Sequence, residues 1–299
     1  MPRASTHFPT SLLPHPQRLC LLKGGLVYAN RVVTVSPTYA LEASAGGAAG
    51  FLRSTLARPD VAAKFGGVLN GIDVDMWDPR SDGLIAAPYG VGAMAGKALN
   101  KKFLQMGLGL KVDPAAPLVV CVTRLVPQKG IHLIKRAIYR TAERGGQAVL
   151  LGTGHADGEF KAMAQHDFAG SDAVKLMLTY SEPLAHALYA AADVVLVPSL
   201  FEPCGLTQMI GLRYGAVPLV RRTGGLADTV HDTGPRANGF VFEGTDDAAV
   251  ASCVDDALDA WWMDRDRFEE LRARGMSDDV SWGASADSYL AFYAGEVGE

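Results

Sequence analysis

Glu202 is the side chain with the clearest chemical promise. It lies in S-L-F-E-P-C-G-L-T (199–207), directly after the apolar run D-V-V-L-V-P (193–198). That order predicts a buried strand, a sharp turn and a helix opening at Gly205, Leu206 and Thr207. A carboxylate on such a turn can grip hydroxyls. The free N–H groups and positive dipole end of the helix can hold a phosphate. Cys204 beside it is either a nucleophile or a small thiol packed under the turn. No His lies near it in sequence, which favours packing.

Two cations stand at another strand end. Arg124 and Lys129 lie in R-L-V-P-Q-K-G (124–130), between an apolar run and a helical segment. A guanidinium and an ammonium there suit a diphosphate; alone they would read as solvated surface charges. Thr223, Gly224 and Gly225 follow a further strand and precede a helix. Their glycines suit close backbone approach to a ligand, or simply a strand-to-helix turn. Gly152-Thr153-Gly154 is a weaker version, lacking the third glycine and downstream acid of a dinucleotide fingerprint. Tyr180, after another strand end, offers an aromatic face to a nucleobase, or ordinary packing. Asp73 and Asp75 form a D-x-D just past an Asn-Gly turn, where Asp is common for turn reasons.

These residues need elements to position them. Apolar runs at 117–123, 147–152, 173–178, 193–198 and 216–220 alternate with helix-like segments at 131–144, 158–167, 183–192 and 205–214. Such alternation predicts an α/β fold with a parallel sheet and ligands at the C-terminal strand ends. Past 238–242 the chain reads as helical, with Trp261, Trp262, Phe268, Trp282, Tyr289 and Phe292 as packing anchors. Before residue 70 the pattern is sparser: a helix over 19–29, a strand over 31–35 and a helix opening at Ser36-Pro37. Two strands do not make an independent sheet, so this segment reads as the end of a second domain. Gly/Ala-rich surface loops are expected at 43–50 and 83–96.

Composition bounds the remaining options. The 299 residues are 48% hydrophobic and 20% charged, with a net charge of −4, which suits a globular core and gives no basic field for nucleic acid. The apolar stretches are near strand length, too short to span a membrane. The four Cys are dispersed without a C-x-x-C and read as free thiols; the seven His form no ligand cluster, so no metal is expected. Residues 1–41 contain no Asp or Glu, and residues 1–20 are rich in Pro, Ser, Thr and His with two Arg. That composition is shared by organelle transit peptides and by a start foreign to the fold.

Taken in order, the motifs resemble the starch and bacterial glycogen synthases, retaining glycosyltransferases of the GT-B type with two Rossmann-like domains around a cleft. The resemblance rests on L-L-K-G-G-L (21–26), T-V-S-P-T-Y-A (34–40), L-N-G-I-D (69–73), T-R-L-V-P-Q-K-G (123–130), P-S-L-F-E-P-C-G-L-T-Q (198–208), R-R-T-G-G-L-A-D-T-V (221–230) and V-S-W (280–282). The stretch 123–141 is similar to the plant and algal soluble type III/IV enzymes. The resemblance implies transfer of glucose from ADP-glucose to the non-reducing end of an α-1,4-glucan, with retention and no metal or other cofactor. It implies that Arg124 and Lys129 hold the diphosphate and that Gly205, Leu206 and Thr207 bind the distal phosphate. Glu202 would face the glucose, Tyr180 would stack on adenine and Asn70 would lie near the sugar. Thr223, Gly224 and Gly225 would line the cleft, with Cys204 among the binding set. Glu202, Arg124 and Lys129 are the catalytic candidates.

Two departures qualify this. Where many retaining GT-B enzymes carry a second acid eight residues after the turn carboxylate, this chain has Ile210, as starch synthases commonly do. The K-x-G-G-L loop of the family's first domain is also missing; Lys23-Gly24-Gly25-Leu26 lacks the intervening residue and precedes T-V-S-P. The expected layout is an unmatched segment (1–18), a remnant of the acceptor-side domain (19–69), the nucleotide-sugar domain (70–280) and a returning terminal helix (281–299). One complete cleft wall implies nucleotide binding without turnover. The rival readings are a regulatory or scaffolding fragment that binds nucleotide or glucan, and a GT-B transferase using a UDP-sugar. The expected location is the plastid stroma, or the cytoplasm for a bacterial-type glycogen synthase. Partners would be ADP-glucose, starch glucans and other starch-synthesis enzymes, with neither nucleic acid nor membrane.

Overall fold

Each apolar run becomes a strand. The computed structural model describes residues 20–295; the segment 1–18 and the last four residues of the expected terminal helix lie outside them. The strands are β1 (Val32–Thr34), β2 (Phe65–Gly67), β3 (Leu118–Val122), β4 (Gln147–Leu151), β5 (Val174–Met177), β6 (Val194–Val197), β7 (Val217–Arg221) and β8 (Phe240–Phe242). β3 to β8 form a parallel six-stranded sheet in the order β5-β4-β3-β6-β7-β8. β3 pairs with β4 on one side and β6 on the other, so the chain reverses its winding there. A crevice opens at the C-terminal ends of two such strands because their following helices go to opposite faces.

Both faces of this sheet are covered. Val119, Cys121, Val194, Leu196, Val217 and Leu219 face a core shared with helices Ile131–Glu143 and Asp247–Met263. The alternate residues Leu118, Val120, Val195, Val197 and Val220 face a second core with helices Glu182–Ala191 and Thr207–Arg213. The period of two sorts each strand between two apolar layers, which is why the runs lack a polar face.

Asp193 closes the sheet's lower end. Its Oδ2 accepts from Lys101 Nζ at 2.7 Å and the Leu118 amide at 2.9 Å, and its Oδ1 from Arg272 Nη2 at 3.2 Å. All three charged side chains are at most 7% exposed. The sequence reads Asp193 only as the first residue of an apolar run.

β1 and β2 form a separate two-stranded parallel sheet. Helix Trp282–Ala294 returns to it: Ser285 Oγ donates to Leu69 O at 2.6 Å, and Phe292 is buried beside Gly66. Three expectations are corrected here. Trp262 and Trp282 are 41% and 50% exposed and do not anchor the packing. Residues 43–45 complete helix Pro37–Ala45, with Ala43 buried, because Ala is a strong helix former and the turn waits for Gly46. The 83–96 stretch is not purely surface: Tyr89 is buried, and its hydroxyl donates to Tyr214 O at 2.8 Å.

Candidate active site

The crevice between β3 and β6 gathers much of the expected chemistry. A cavity of about 370 Å³ is lined by Arg124, Lys129, Tyr180 and Thr207, together with Trp77 and Thr153. Lys129 ends the short turn Pro127–Lys129 before helix Ile131–Glu143. Gly130 makes that junction possible. Its φ is +70°, and a Cβ there would stand 2.4 Å from Pro198 O, so a side chain is excluded by both conformation and space. Tyr180 is 81% exposed at the rim.

Glu202 adjoins this cavity and is buried at 6% exposure. Its Oε2 lies 2.5 Å from Lys129 Nζ and accepts from Ser199 Oγ at 2.8 Å. The turn carrying it is fastened at successive carbonyls. Arg221 Nε donates to Ser199 O at 3.1 Å, and its Nη2 donates to Leu200 O. Gln128 Nε2 donates to Phe201 O at 3.1 Å, and the Gly225 amide to Glu202 O at 3.0 Å. Gly205 follows with φ +76°, turning the chain into helix Thr207–Arg213.

Other expected residues lie elsewhere. Asn70 lines a second cavity of about 340 Å³ with Asp228, Thr229 and Arg236, and not the one holding Arg124. The Cys204 thiol is buried, and burial pushes its pKa up against a lowering contact from the Asn70 backbone. A thiol held protonated is a poor nucleophile. Thr223 is 3% exposed, and its hydroxyl donates to Glu42 Oε1 at 3.0 Å; the Gly224 amide donates to the same oxygen at 2.9 Å. This turn is therefore already engaged by a carboxylate of the chain itself. Asp73 Oδ1 accepts from the Asp75 and Met76 amides, a turn role, and among the described residues no cluster of three potential metal ligands occurs.

Some site residues escaped sequence reasoning. Trp77 stacks on His186 with ring centroids 4.0 Å apart, His186 Nδ1 lies 2.8 Å from Asp82 Oδ2, and Tyr214 Oη donates to that oxygen at 2.6 Å. Only the fold brings these four together. Arg221 sat in a quoted motif, at a strand end before the glycines, and that position was its available signal.

A parallel sheet with a crevice at its switch point, lined by two cations and by aromatics that include Trp77 and Tyr180, matches one Rossmann-like half of a GT-B glycosyltransferase fold. Comparison with known proteins narrows the class. Residues 110–274 match the family model of glycosyl transferases group 1, and residues 2–56 match that of the starch synthase catalytic domain. The chain belongs to the glycosyl transferases group 1 family and is homologous to starch and glycogen synthases.

It is 44% identical over 286 residues to a probable starch synthase 4 of Arabidopsis thaliana, covering 92% of this chain and 27% of that protein. It is also 44% identical over 288 residues to a glycogen synthase 1 of Synechococcus sp. (strain JA-3-3Ab), covering 93% and 58%. The solved catalytic domain of starch synthase IV from Arabidopsis thaliana, bound to ADP and acarbose, superposes with a TM-score of 0.87 at 44% identity, covering 92% of this chain and 57% of that one. A sucrose-phosphate synthase from Thermosynechococcus elongatus, at 23% identity and a TM-score of 0.61, shares the fold. The chain thus spans just over half the length of the bacterial relative and about a quarter of the plant one. The match to the starch synthase catalytic domain starts at residue 2 and so takes in residues 2–18, which carry none of the motifs quoted above.

Proposed function

We propose that this chain is the nucleotide-sugar-binding portion of a starch synthase, an enzyme that transfers glucose from ADP-glucose to the non-reducing end of an α-1,4-glucan with retention. The observation that carries this reading is the convergence of Arg124, Lys129, Tyr180 and Thr207 on one cavity, with Glu202 joined to it through Lys129. The relative solved with ADP and acarbose supports both a nucleotide and a glucan as ligands.

In this reading the two cations neutralise the diphosphate and stabilise the charge that develops on ADP as it leaves. The helix opening at Thr207 receives the distal phosphate. Tyr180 stacks on the nucleobase, and Glu202 orients the glucose hydroxyls. No metal takes part, because the cationic side chains do the neutralising. Residues 19–69 and the returning helix belong to the acceptor side, and 70–280 to the donor side. The names of the plant relatives, chloroplastic/amyloplastic, support a plastid location; the equally similar bacterial glycogen synthase supports the cytoplasm as the alternative.

Calorimetry tests the donor assignment. ADP should bind with and without EDTA, and UDP at least about tenfold more weakly, a difference of about 1.4 kcal/mol. Strict dependence on a divalent cation, or preference for UDP, would overturn it.

A further inference from the structure

Helices Pro37–Ala45 and Gly224–Thr229 close each other's ends. The Thr38 amide donates to Asp228 Oδ2 at 3.0 Å and its hydroxyl to Asp228 Oδ1 at 2.5 Å. In return, Glu42 accepts from the Thr223 hydroxyl and the Gly224 amide. Thr38 and Glu42 are four residues apart, as are Gly224 and Asp228, so each pair lies on one helix face. The contacts pair the start of each helix with the far turn of the other, so the two run antiparallel.

This clamp continues to the turn that bears Glu202. The Gly225 amide, next in chain, donates to Glu202 O at 3.0 Å. A Cβ on Gly224 would stand 2.0 Å from Glu202 O, and one on Gly225 2.0 Å from Cys204 O. The two backbones touch without slack. A shift of the 223–225 turn must therefore move the Glu202 backbone. Without Glu42, the buried Thr223 hydroxyl and the Gly224 amide would lose their acceptor and the turn would be free to relax.

We infer that Glu42, on the first-domain side of the fold, is a positioning residue for Glu202, acting through the 223–225 turn. The inference rests on the reading of Glu202 as the sugar-facing carboxylate, and it gives Thr223, Gly224 and Gly225 a mechanical role in place of ligand contact. Glu42 touches no reacting atom. It fixes where the Glu202 carboxylate meets Lys129 and the substrate, and geometric errors of an ångström at such a group are costly in rate.

Hydrogen exchange read by mass spectrometry tests this on the whole chain. Glu42→Ala should raise exchange across residues 199–206 by roughly tenfold while strands β3 and β6 stay protected. Glu42→Gln, whose amide oxygen still accepts both hydrogen bonds, should restore protection to within about twofold of the wild type. Val250→Ala, a core substitution in helix Asp247–Met263 that removes no hydrogen bond of the clamp, should lower Tm and leave 199–206 as in the wild type. Unchanged exchange at 199–206 in Glu42→Ala would overturn the inference. So would equal loosening in Val250→Ala, or failure of Glu42→Gln to rescue. If the wild-type chain binds no ADP, the reading of the site's chemistry fails, and the exchange comparison decides the clamp by itself.

Discussion

Lys129 and Glu202 face each other as an ion pair with little solvent, their side chains 16% and 8% exposed. A diphosphate arriving in the cavity must compete with Glu202 for the same ammonium. The two residues should therefore respond oppositely to truncation. Lys129→Ala removes a charge-assisted contact of about 1.5–3 kcal/mol and should weaken ADP by about tenfold or more. Glu202→Ala frees Lys129 for the phosphates, so ADP affinity should hold or rise. Calorimetry on both variants decides the matter, and equal losses would remove Glu202 from the sugar side. A second residue-level outcome concerns pH. Burial, with Arg236 second, lowers the pKa of His231 below its ordinary value near 6.5, and its Nε2 has no partner. The unfolded chain then takes up this proton before the folded one does. Stability from this group is present above about pH 6.5 and is lost as pH falls toward the folded pKa. His231→Gln should flatten the decline in urea midpoint over that window; an identical slope would exclude His231 as its source.

At the scale of elements, the sheet is pinned from its lower end. Asp193 neutralises Lys101 and Arg272 and caps the start of β3 with its carboxylate. Removing it leaves Lys101 buried with no carboxylate beside it, and Arg272 with Glu269 as its remaining partner. Asp193→Ala should cost about 3–5 kcal/mol, read from the urea midpoint, with ADP affinity preserved in the folded fraction because the site lies at the other end of the strands. A loss below about 1 kcal/mol would mean that water reaches the cluster. The strands were legible because β3, β4, β6 and β7 are continuous apolar runs, and a parallel sheet buried on both faces requires that. The Asp193 cluster was not legible. Its partners come from positions 101, 118 and 272, and nothing local in a sequence announces such a meeting.

For the molecule as a whole, the six-stranded sheet is covered on both faces, whereas β1 and β2 form a pair too small to stand alone. Leu21, Tyr28, Leu41 and Leu290, in or beside the helices flanking that pair, are 78%, 87%, 70% and 68% exposed. Arg124, Lys129 and Glu202 all belong to one wall, and transfer needs a second wall to orient the acceptor and exclude water. We therefore expect negligible transfer of radiolabelled glucose from ADP-glucose to glycogen by these 299 residues alone. Transfer should appear once an acceptor-side half from a relative is fused or added. Robust activity of the chain alone would show that this second wall is dispensable or is provided by another copy.

The sequence by itself determined the strand–helix alternation, the family resemblance and the positions of the charged turns at strand ends. Those features are local: an apolar run, a glycine with positive φ, a cation before a helix. It did not determine how the turns are used. Thr223-Gly224-Gly225 has the composition of a ligand loop, yet its Thr223 hydroxyl and Gly224 amide are taken by Glu42, some 180 residues away, and its Gly225 amide by Glu202 O. Trp77 follows the Asp73–Asp75 turn with no local signal of a role, yet His186 and Tyr214 hold it as a cavity wall. The tertiary structure decided these points because a buried donor takes whichever acceptor the fold brings within 3 Å, and that choice depends on how distant elements pack.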